Sequence, residues 1–366
     1  MRRLSRVLLT GDATGGIWRY SLELARGLAQ AGVQPVLALL GPNPAPAQAA
    51  EAASVPGLWL VPTGLPSERT APDEAALRST GAALAGLAQR VRADTVHLHT
   101  PALAAEVAWG VSVVAVAHGD VGTWWEAVHP GEKLPDHLAW HAAAIGRGLA
   151  EADVAIAPSR SFARTLARRY RPGRDILVVR HGRTPPPAAG AVVRVPAVLA
   201  AGRNWDAGAN MELLDQVAPA LDVPVQVAGP CYPAGAAGGG GFANLRPLGL
   251  LDATALAAHM AAATVFAAPA RYAPFGLAVL EAAQAGMALA LADIPAFREL
   301  WEGAALFFPP DDPARLADVL RRLLAAPAGH ARRAAERAAR YDAATMIAAT
   351  LGQHRALAGA TGAVSA

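Results

Sequence analysis

Short apolar runs alternate with helix-length segments along the whole chain. This alternation is typical of parallel sheets covered by helices on both faces, so we predict an α/β fold of doubly wound type. Helices are expected between the strands, as at 17–30 and at 161–170 behind the cap-like Ser159. The predicted strands are 5–10, 33–40, 58–61, 95–99, 111–117, 154–157, 176–179, 197–201, 223–228, 245–248, 264–268, 287–291 and 306–308.

A proline-rich break divides this pattern into two halves. The run Thr184-Pro185-Pro186-Pro187 forbids helix, and the strand pattern restarts after it. A chain of 366 residues also exceeds what one hydrophobic core usually supports. We therefore predict a Rossmann-like domain at 1–183, a linker at 184–192, a second Rossmann-like domain at 193–340 and a helical segment at 341–366. Ligands of such sheets bind at the carboxyl ends of the strands, so the chemistry is expected in a cleft between the halves.

Composition excludes several classes of protein. No apolar stretch reaches the ~18 residues of a membrane span, and the first apolar run is too short for a signal peptide, so a cytoplasmic protein is expected. The net charge is only +3 and no basic run is interleaved with aromatics, which argues against nucleic-acid binding. Lys133 is the only lysine, and its surroundings match neither a phosphate loop nor a Schiff-base site. The glycine-rich segment 235–241 is expected to be a surface loop.

The first strand ends in a glycine pair. Gly15 and Gly16 allow a close approach of the backbone to a ligand, and the helix that follows presents N–H groups to an anion. A simple tight turn is the alternative. Dinucleotide binding is disfavoured because the G-x-G-x-x-G spacing is missing. Trp18, in the first turn of this helix, is a candidate contact on the acceptor side.

Histidines and tryptophans follow two other strands of the first half. His118 comes directly after strand 111–117, where its imidazole is well placed to hydrogen-bond a sugar hydroxyl. Trp124 and Trp125 could stack on a sugar or aglycone, although core packing is the commoner fate of tryptophan. His97 and His99 lie two residues apart, but two histidines without a third ligand make a weak metal site.

The second half carries groups suited to a nucleotide diphosphate. Arg203 follows a strand, and its planar guanidinium suits a pyrophosphate, with a surface ion pair to Asp206 as the alternative. The segment Pro274-Phe275-Gly276-Leu277 opens a helix whose first turn can face phosphate. Glu281 on this helix could accept both hydroxyls of a ribose, whereas a generic helix glutamate would be solvated.

Taken together, these motifs resemble those of the retaining GT-B glycosyltransferases of family four, over nearly the whole chain. The matching motifs, in the family's order, are Gly15-Gly16, His118, Ala157-Pro158-Ser159, Gly182, Gly202-Arg203 and Pro274-Phe275-Gly276-Leu277 with Glu281. The resemblance implies that Arg203 binds the donor phosphate, Glu281 holds the ribose and His118 contacts the donor sugar. It also implies that Gly16 shapes the amino-terminal side of the site.

Two positions depart from the family's pattern. Ala209 is the best match to the usual phosphate-binding lysine, and Ala273 replaces the first glutamate of the pair E-x-x-x-x-x-x-x-E. The site thereby loses one cation and one anion. Arg271 and Arg183 are candidates to supply the missing positive charge.

The resemblance implies transfer of a hexosyl group from a nucleotide-diphosphate sugar, with retention, to an unidentified sugar, lipid or small-molecule acceptor. Arg203 and helix-terminal N–H groups would stabilise the leaving diphosphate. No metal and no other cofactor are expected, because the chain contains no Asp-x-Asp triplet. Two alternatives stay open. One is a degenerate GT-B protein that binds a nucleotide or a partner without turnover, and the other is a nucleotide-sugar epimerase.

Overall fold

A computed structural model describes residues 3–13, 15–185, 193–232 and 241–364. The described residues form two compact units, drawn from 1–126, 131–182 and 343–366 for the first and from 127–130 and 183–342 for the second. The greater part of the predicted linker, 186–192, and of the glycine-rich segment 235–241 lies outside the described residues.

All thirteen predicted strands are found among the described residues, and every pairing between them is parallel. The first sheet has the order β3-β2-β1-β4-β5-β6-β7 and the second the order β10-β9-β8-β11-β12-β13. The predicted α/β fold is therefore confirmed. The strands are β1 (Arg6–Asp12), β2 (Gln34–Leu40), β3 (Trp59–Pro62), β4 (Thr95–Leu98), β5 (Ser112–Val116), β6 (Val154–Ala157), β7 (Ile176–Val178), β8 (Val195–Ala201), β9 (Val225–Ala228), β10 (Arg246–Gly249), β11 (Ala263–Ala268), β12 (Ala288–Ala292) and β13 (Leu306–Phe308).

Helices follow nearly every strand. They are α1 (Gly16–Gln30), α2 (Pro46–Ala53), α3 (Glu74–Arg90), α4 (Val121–Val128), α5 (Asp136–Glu151), α6 (Arg160–Tyr170), α7 (Met211–Val217), α8 (Ala253–Ala262), α9 (Leu277–Gln284), α10 (Pro295–Trp301), α11 (Pro313–Ala325), α12 (Pro327–Ala338) and α13 (Ala343–Val364). The predicted cap of α6 is present, since the Ser159 hydroxyl accepts the backbone N–H of Phe162. Among the described residues, no helix is both long and apolar enough to cross a membrane.

The central strands of both sheets are buried on both faces, which explains why their sequences are continuous apolar runs rather than alternating ones. In the first unit the last helix, α13, packs against α1. A Cβ atom at Gly27 of α1 would lie 2.3 Å from Cγ2 of Ile347, so the glycine permits this close approach. α13 covers Ala343–Val364 and belongs to the first unit.

Candidate active site

In the second unit, two loops at the carboxyl ends of β8 and β9 touch each other. A Cβ atom at Gly229 would lie 2.0 Å from the carbonyl oxygen of Gly202, and Gly229 has a φ of +114°. Asn204 closes the same junction, because its side-chain amide donates to the carbonyl groups of Ala228 and Gly229 at 3.2 Å. The loop that carries Arg203 is therefore held in place by backbone contacts that only glycine permits at position 229.

The far end of this loop is fixed by Asn210. Asn210 has a φ of 56°, and its amide donates to the carbonyls of Pro269 at 2.9 Å and Pro310 at 2.8 Å. The backbone N–H groups of Arg271 and Tyr272 both donate to the carbonyl of Gly208. These bonds bring the segment around Ala209 beside the segment that leads into α9.

Arg203 lies at the surface of the second unit. Its Nη2 is 3.1 Å from Asp206 Oδ2, and 51% of the side chain is exposed. Its guanidinium carbon is also 6.0 Å from the ring centre of Trp205. The ion pair considered as the alternative is present, and the exposed guanidinium remains accessible to a ligand from solvent.

The predicted helix begins directly after Gly276. Gly276 is the N-cap residue with a φ of 87°, and a Cβ there would lie 2.8 Å from Cε1 of Phe297. Phe275 is buried and meets Tyr341 edge to face, with ring centres 5.7 Å apart. Leu277 then starts the helix. The backbone N–H groups of its first turn lie at the carboxyl end of the second sheet, where an anion would be favoured.

Glu281 lies one turn into α9 and is not solvated. Only 15% of its side chain is exposed, and its Oε1 lies 3.1 Å from Nε of Arg183. Arg183 is itself buried, with 5% of its side chain exposed. From the sequence, Arg183 is only one of two candidates to supply a missing positive charge. Nothing in the sequence shows that its side chain reaches α9.

In the first unit, the glycine turn after β1 is exposed. Gly15 has a φ of 68° and caps α1, which begins at Gly16. Asp12, the last residue of β1, accepts a 2.7 Å hydrogen bond from Nη2 of Arg69. Glu68 precedes this arginine. Burial, and secondarily the nearby carboxylate of Asp120, raise the pKa of Glu68 to about 7, against the hydrogen bond with Thr100 and the charge of Arg69. No motif in the sequence indicates this group of polar side chains.

His118 lies at the end of β5 within a chain of imidazoles. Its Nε2 lies 3.0 Å from Nδ1 of His99, and its Nδ1 lies 3.1 Å from Nε2 of His181. Burial lowers the pKa of His118 to about 3, so the ring is neutral at pH 7. Both ring nitrogens of His118 are engaged within the protein. A sugar hydroxyl could bind to either nitrogen only by replacing one of these bonds.

A second set of buried histidines lies beside the first. Nδ1 of His97 is 3.1 Å from Nε2 of His354, whose Nδ1 is 2.7 Å from the hydroxyl of Thr95. The ring of Tyr20 lies 4.8 to 6.0 Å, centre to centre, from the rings of His97, His99, His118 and His181. Despite this concentration, the described part of the chain contains no group of three or more His, Cys, Asp or Glu side chains arranged to hold a metal ion.

The three predicted acceptor-side tryptophans differ in their surroundings. Trp18 is 3% exposed, and its Nε1 donates to Glu51 Oε2 at 2.9 Å, so its ring belongs to the core of the first unit. Trp124 and Trp125 are half-buried on α4, with ring centres 6.1 Å apart. Trp124 and Trp125 are therefore more exposed than Trp18.

Comparison with known families decides what kind of protein this site belongs to. Residues 14–185 match the model of Glycosyltransferase Family 4, and residues 196–326 match that of Glycosyl transferases group 1. The chain belongs to the glycosyltransferases that combine these two domains. No curated protein sequence gives a significant match.

Solved structures show that this glycosyltransferase has the predicted GT-B fold. Sucrose-phosphate synthase from Thermosynechococcus elongatus matches with a TM-score of 0.79 and 18% identity, covering 97% of this chain and 100% of that one. The UDP-forming α,α-trehalose-phosphate synthase from Burkholderia vietnamiensis gives 0.69 and 14%, covering 99% of each chain. Anabaena HepE in complex with UDP and glucose gives 0.66 and 16%, covering 95% of this chain and 100% of that one.

The two departures from the family pattern are accommodated by packing in this glycosyltransferase. Ala209 and Ala273 are partly buried and pack against the core of the second unit. Methyl groups thus occupy positions where a lysine and a glutamate would place charge. Arg203, Arg183 and Glu281 are charged residues of the same unit.

Proposed function

We propose that this glycosyltransferase moves a hexosyl group from a nucleotide-diphosphate sugar to an acceptor with retention of configuration and without a metal ion. The observation that carries the proposal is Glu281. It is a largely buried carboxylate one turn into the helix that follows β11, beside helix-terminal N–H groups suited to phosphate. A ribose with two neighbouring hydroxyls and a diphosphate next to it fits this combination of groups.

The donor class is supported by the names of structural neighbours. HepE was solved with UDP and glucose, and the trehalose-phosphate synthase is described as UDP-forming. Their identities to this chain are 16% and 14%, so the proposal names only the class of donor, a nucleotide-diphosphate sugar. The predicted donor contacts remain Gly15, Gly16, Arg203, Phe275, Gly276, Leu277 and Glu281.

The chemistry asks little of the protein beyond positioning and charge. In same-face substitution, the bond from the anomeric carbon to the diphosphate oxygen breaks while the acceptor oxygen attacks from the same side. The departing phosphate oxygen takes up the proton of the acceptor hydroxyl. Arg203 can turn from Asp206 toward the diphosphate because its side chain is half exposed. Its guanidinium and the N–H groups of α9 would then stabilise the negative charge of the leaving group.

His118 would contribute to donor binding through a fixed and uncharged imidazole. Both ring nitrogens already have partners, so the side chain would make van der Waals contacts with the donor more readily than a new hydrogen bond. The backbone of His118 could also contact the donor. The acceptor stays a sugar, lipid or small molecule. Trp124 and Trp125 are its candidate contacts, and a cytoplasmic site of action is part of this proposal.

A thermal-shift screen with UDP, GDP and ADP tests donor binding. A nucleotide at about 100 times its Kd should stabilise the protein by about 2.7 kcal/mol, which raises the Tm. Glu281→Gln should lose most of this shift, whereas Glu302→Gln, which alters an exposed carboxylate on the same unit, should keep it. An unchanged shift in a folded Glu281→Gln variant would remove Glu281 from the site.

The same protein then separates the alternative functions. A transferase consumes a donor sugar and modifies an acceptor, an epimerase converts the nucleotide sugar without an acceptor, and a pure binder does neither. Product analysis by chromatography and NMR distinguishes these three results.

A further inference from the structure

Arg183 is tied to α9 at two points. Its Nε donates to Oε1 of Glu281 at 3.1 Å, and its carbonyl oxygen accepts the side-chain amide of Gln284 at 3.1 Å. Its backbone N–H donates to the carbonyl of Tyr341, also at 3.1 Å. Arg183 is therefore fixed by its backbone and its side chain, and one end of that arrangement is the carboxylate proposed to bind ribose.

Burial makes this ion pair different from the others of the second unit. The side chains of Arg183 and Glu281 are 5% and 15% exposed, whereas Arg298 and its partner Asp293 are each 41% exposed. Removing one partner of a buried pair leaves the other charge in a poorly solvated place, which is costly. An exposed pair is screened by water and contributes little.

The contact occupies one acceptor position of the carboxylate. A carboxylate has about four such positions on its two oxygens. The Arg183 Nε takes one of them on Oε1 of Glu281. The guanidinium thereby limits the rotamers of the Glu281 side chain.

We propose that Arg183 is a positioning residue, which holds the Glu281 carboxylate in one orientation for the ribose of the donor. This inference rests on the proposed function, since it assumes that Glu281 binds the nucleotide. Ala209 stands where the family usually has a lysine, and Ala273 stands where it has the first glutamate of the pair. Arg183 provides a cation to this site. It acts on the nucleotide through Glu281 and makes no contact of its own with the reacting atoms.

A merely structural role for Arg183 would give different results. If Arg183 only anchored its chain segment on α9, its loss would lower the Tm, and any loss of nucleotide affinity would simply add to that of a Glu281 variant. A positioning role makes the two losses non-additive, because Arg183 has nothing to position once the carboxylate is absent.

The experiment is a double-mutant cycle on nucleotide affinity. Calorimetry with UDP, GDP and ADP is performed on the wild type, Arg183→Met, Glu281→Gln and the double variant, with Arg298→Met as the control at an exposed ion pair. Thermal unfolding confirms that each protein is folded. We expect Arg183→Met to weaken binding by about tenfold to a hundredfold, which is the range for one charge-assisted hydrogen bond. In the Glu281→Gln background the same change should cost less than about twofold, and Arg298→Met should have no effect.

Arg183→Lys keeps the positive charge and provides a second test if Arg183→Met does not fold. It should bind the nucleotide more tightly than Arg183→Met does. If Arg183→Met does not fold, the comparison is with Glu281→Gln, and Arg183→Lys should again bind the nucleotide more tightly. When Glu281→Gln binds weakly, the positioning role alone would be overturned by additive losses, by full affinity in folded Arg183→Met, or by binding to Arg183→Lys that is no tighter than binding to Glu281→Gln. Absence of binding by the wild type to all three nucleotides would overturn the proposed function, and this inference with it.

Discussion

The Nε2 atom of His118 lies 3.0 Å from Nδ1 of His99, and Ser21 determines which of the two carries the proton. The Ser21 hydroxyl has one hydrogen, which it donates to the carbonyl of Ile17 at 2.8 Å. Its oxygen must therefore accept the Nε2–H of His99 at 2.9 Å. The Nδ1 of neutral His99 then accepts from His118, and Nδ1 of His118 accepts from Nε2–H of His181 at 3.1 Å.

All three imidazoles of this chain are expected to be Nε2–H tautomers. Long-range ¹⁵N–¹H correlation spectra of labelled protein distinguish Nε2–H from Nδ1–H rings directly. Ser21→Ala removes the acceptor of His99 Nε2–H, and reversal of the whole chain would only move the unpaired N–H to Nδ1 of His181, which is buried without a hydrogen-bond partner. We therefore predict that Ser21→Ala lowers the free energy of unfolding, measured in urea, by about 1–3 kcal/mol, the cost of one buried N–H without a partner.

Ser79→Ala is the matched control. The Ser79 hydroxyl makes the same type of bond, to the carbonyl four residues earlier at 2.9 Å, on the exposed side of α3. It should leave the free energy of unfolding nearly unchanged. Mixed tautomers in the wild type would refute the assigned direction of the hydrogen bonds, and so would a Ser21→Ala variant that is as stable as Ser79→Ala.

The buried histidines should make the protein sensitive to acid. Burial lowers the pKa of His354 from its ordinary value of 6.5 to about 3, so the unfolded chain binds a proton that the folded protein does not. The contribution of His354 to the free energy of unfolding is then fully present above pH 6.5, and it is lost as the pH decreases from 6.5 toward 3. This one residue accounts for a loss of about 2 kcal/mol at pH 5. Burial also lowers the pKa of His97 and His99, which adds to the effect.

Urea unfolding between pH 8 and pH 5 measures this loss. His354→Asn should reduce the dependence on pH, whereas His137→Gln, at an exposed position of α5, should not. A free energy of unfolding that stays constant down to pH 5 would show that these histidines are accessible to protons in the folded state.

The charge of the donor site should limit the rate. Arg203→Ala removes a guanidinium from the proposed diphosphate site, at a cost of about 1.5–3 kcal/mol or roughly tenfold to a hundredfold in rate. Ala209→Lys adds a cation to the loop that Asn210 anchors and should increase turnover. Steady-state rates of donor consumption test both changes. Full activity of folded Arg203→Ala would exclude Arg203 from phosphate binding.

Metal independence gives a separate test. Arg203 and helix amino ends are the phosphate-stabilising groups proposed for the site, so excess EDTA should leave the rate of donor consumption unchanged. Loss of activity in EDTA that manganese or magnesium restores would contradict this mechanism.

The fold could be predicted from sequence because its determinants are local. The apolar runs that became β5 and β12 are buried on both faces of a sheet, and the pattern of such strands is independent of distant residues. The start of α9 was predictable for the same reason, since proline and glycine directly after a strand mark where the next helix begins.

The contacts of the site depend on distant parts of the chain and could not be predicted in this way. Glu281 meets a residue 98 positions away, and His97 meets a residue 257 positions away. His97 and His99 form a weak metal pattern in the sequence, but in the structure Nδ1 of His97 and both ring nitrogens of His99 bond to other side chains. Nothing in the sequence indicates that the indole N–H of Trp18 donates to Glu51 or that its ring lies in the core.

Release of nucleoside diphosphate from UDP-, GDP- and ADP-glucose, followed by ³¹P NMR, tests the central claim most directly. In the presence of EDTA, we expect the wild type to consume at least one donor slowly. Ala209→Lys should consume it faster, and Arg203→Ala should consume nearly none. If no donor in a broad panel of nucleotide sugars is consumed by the wild type or by Ala209→Lys, with acceptor sugars and lipids present, the protein is not a working glycosyltransferase.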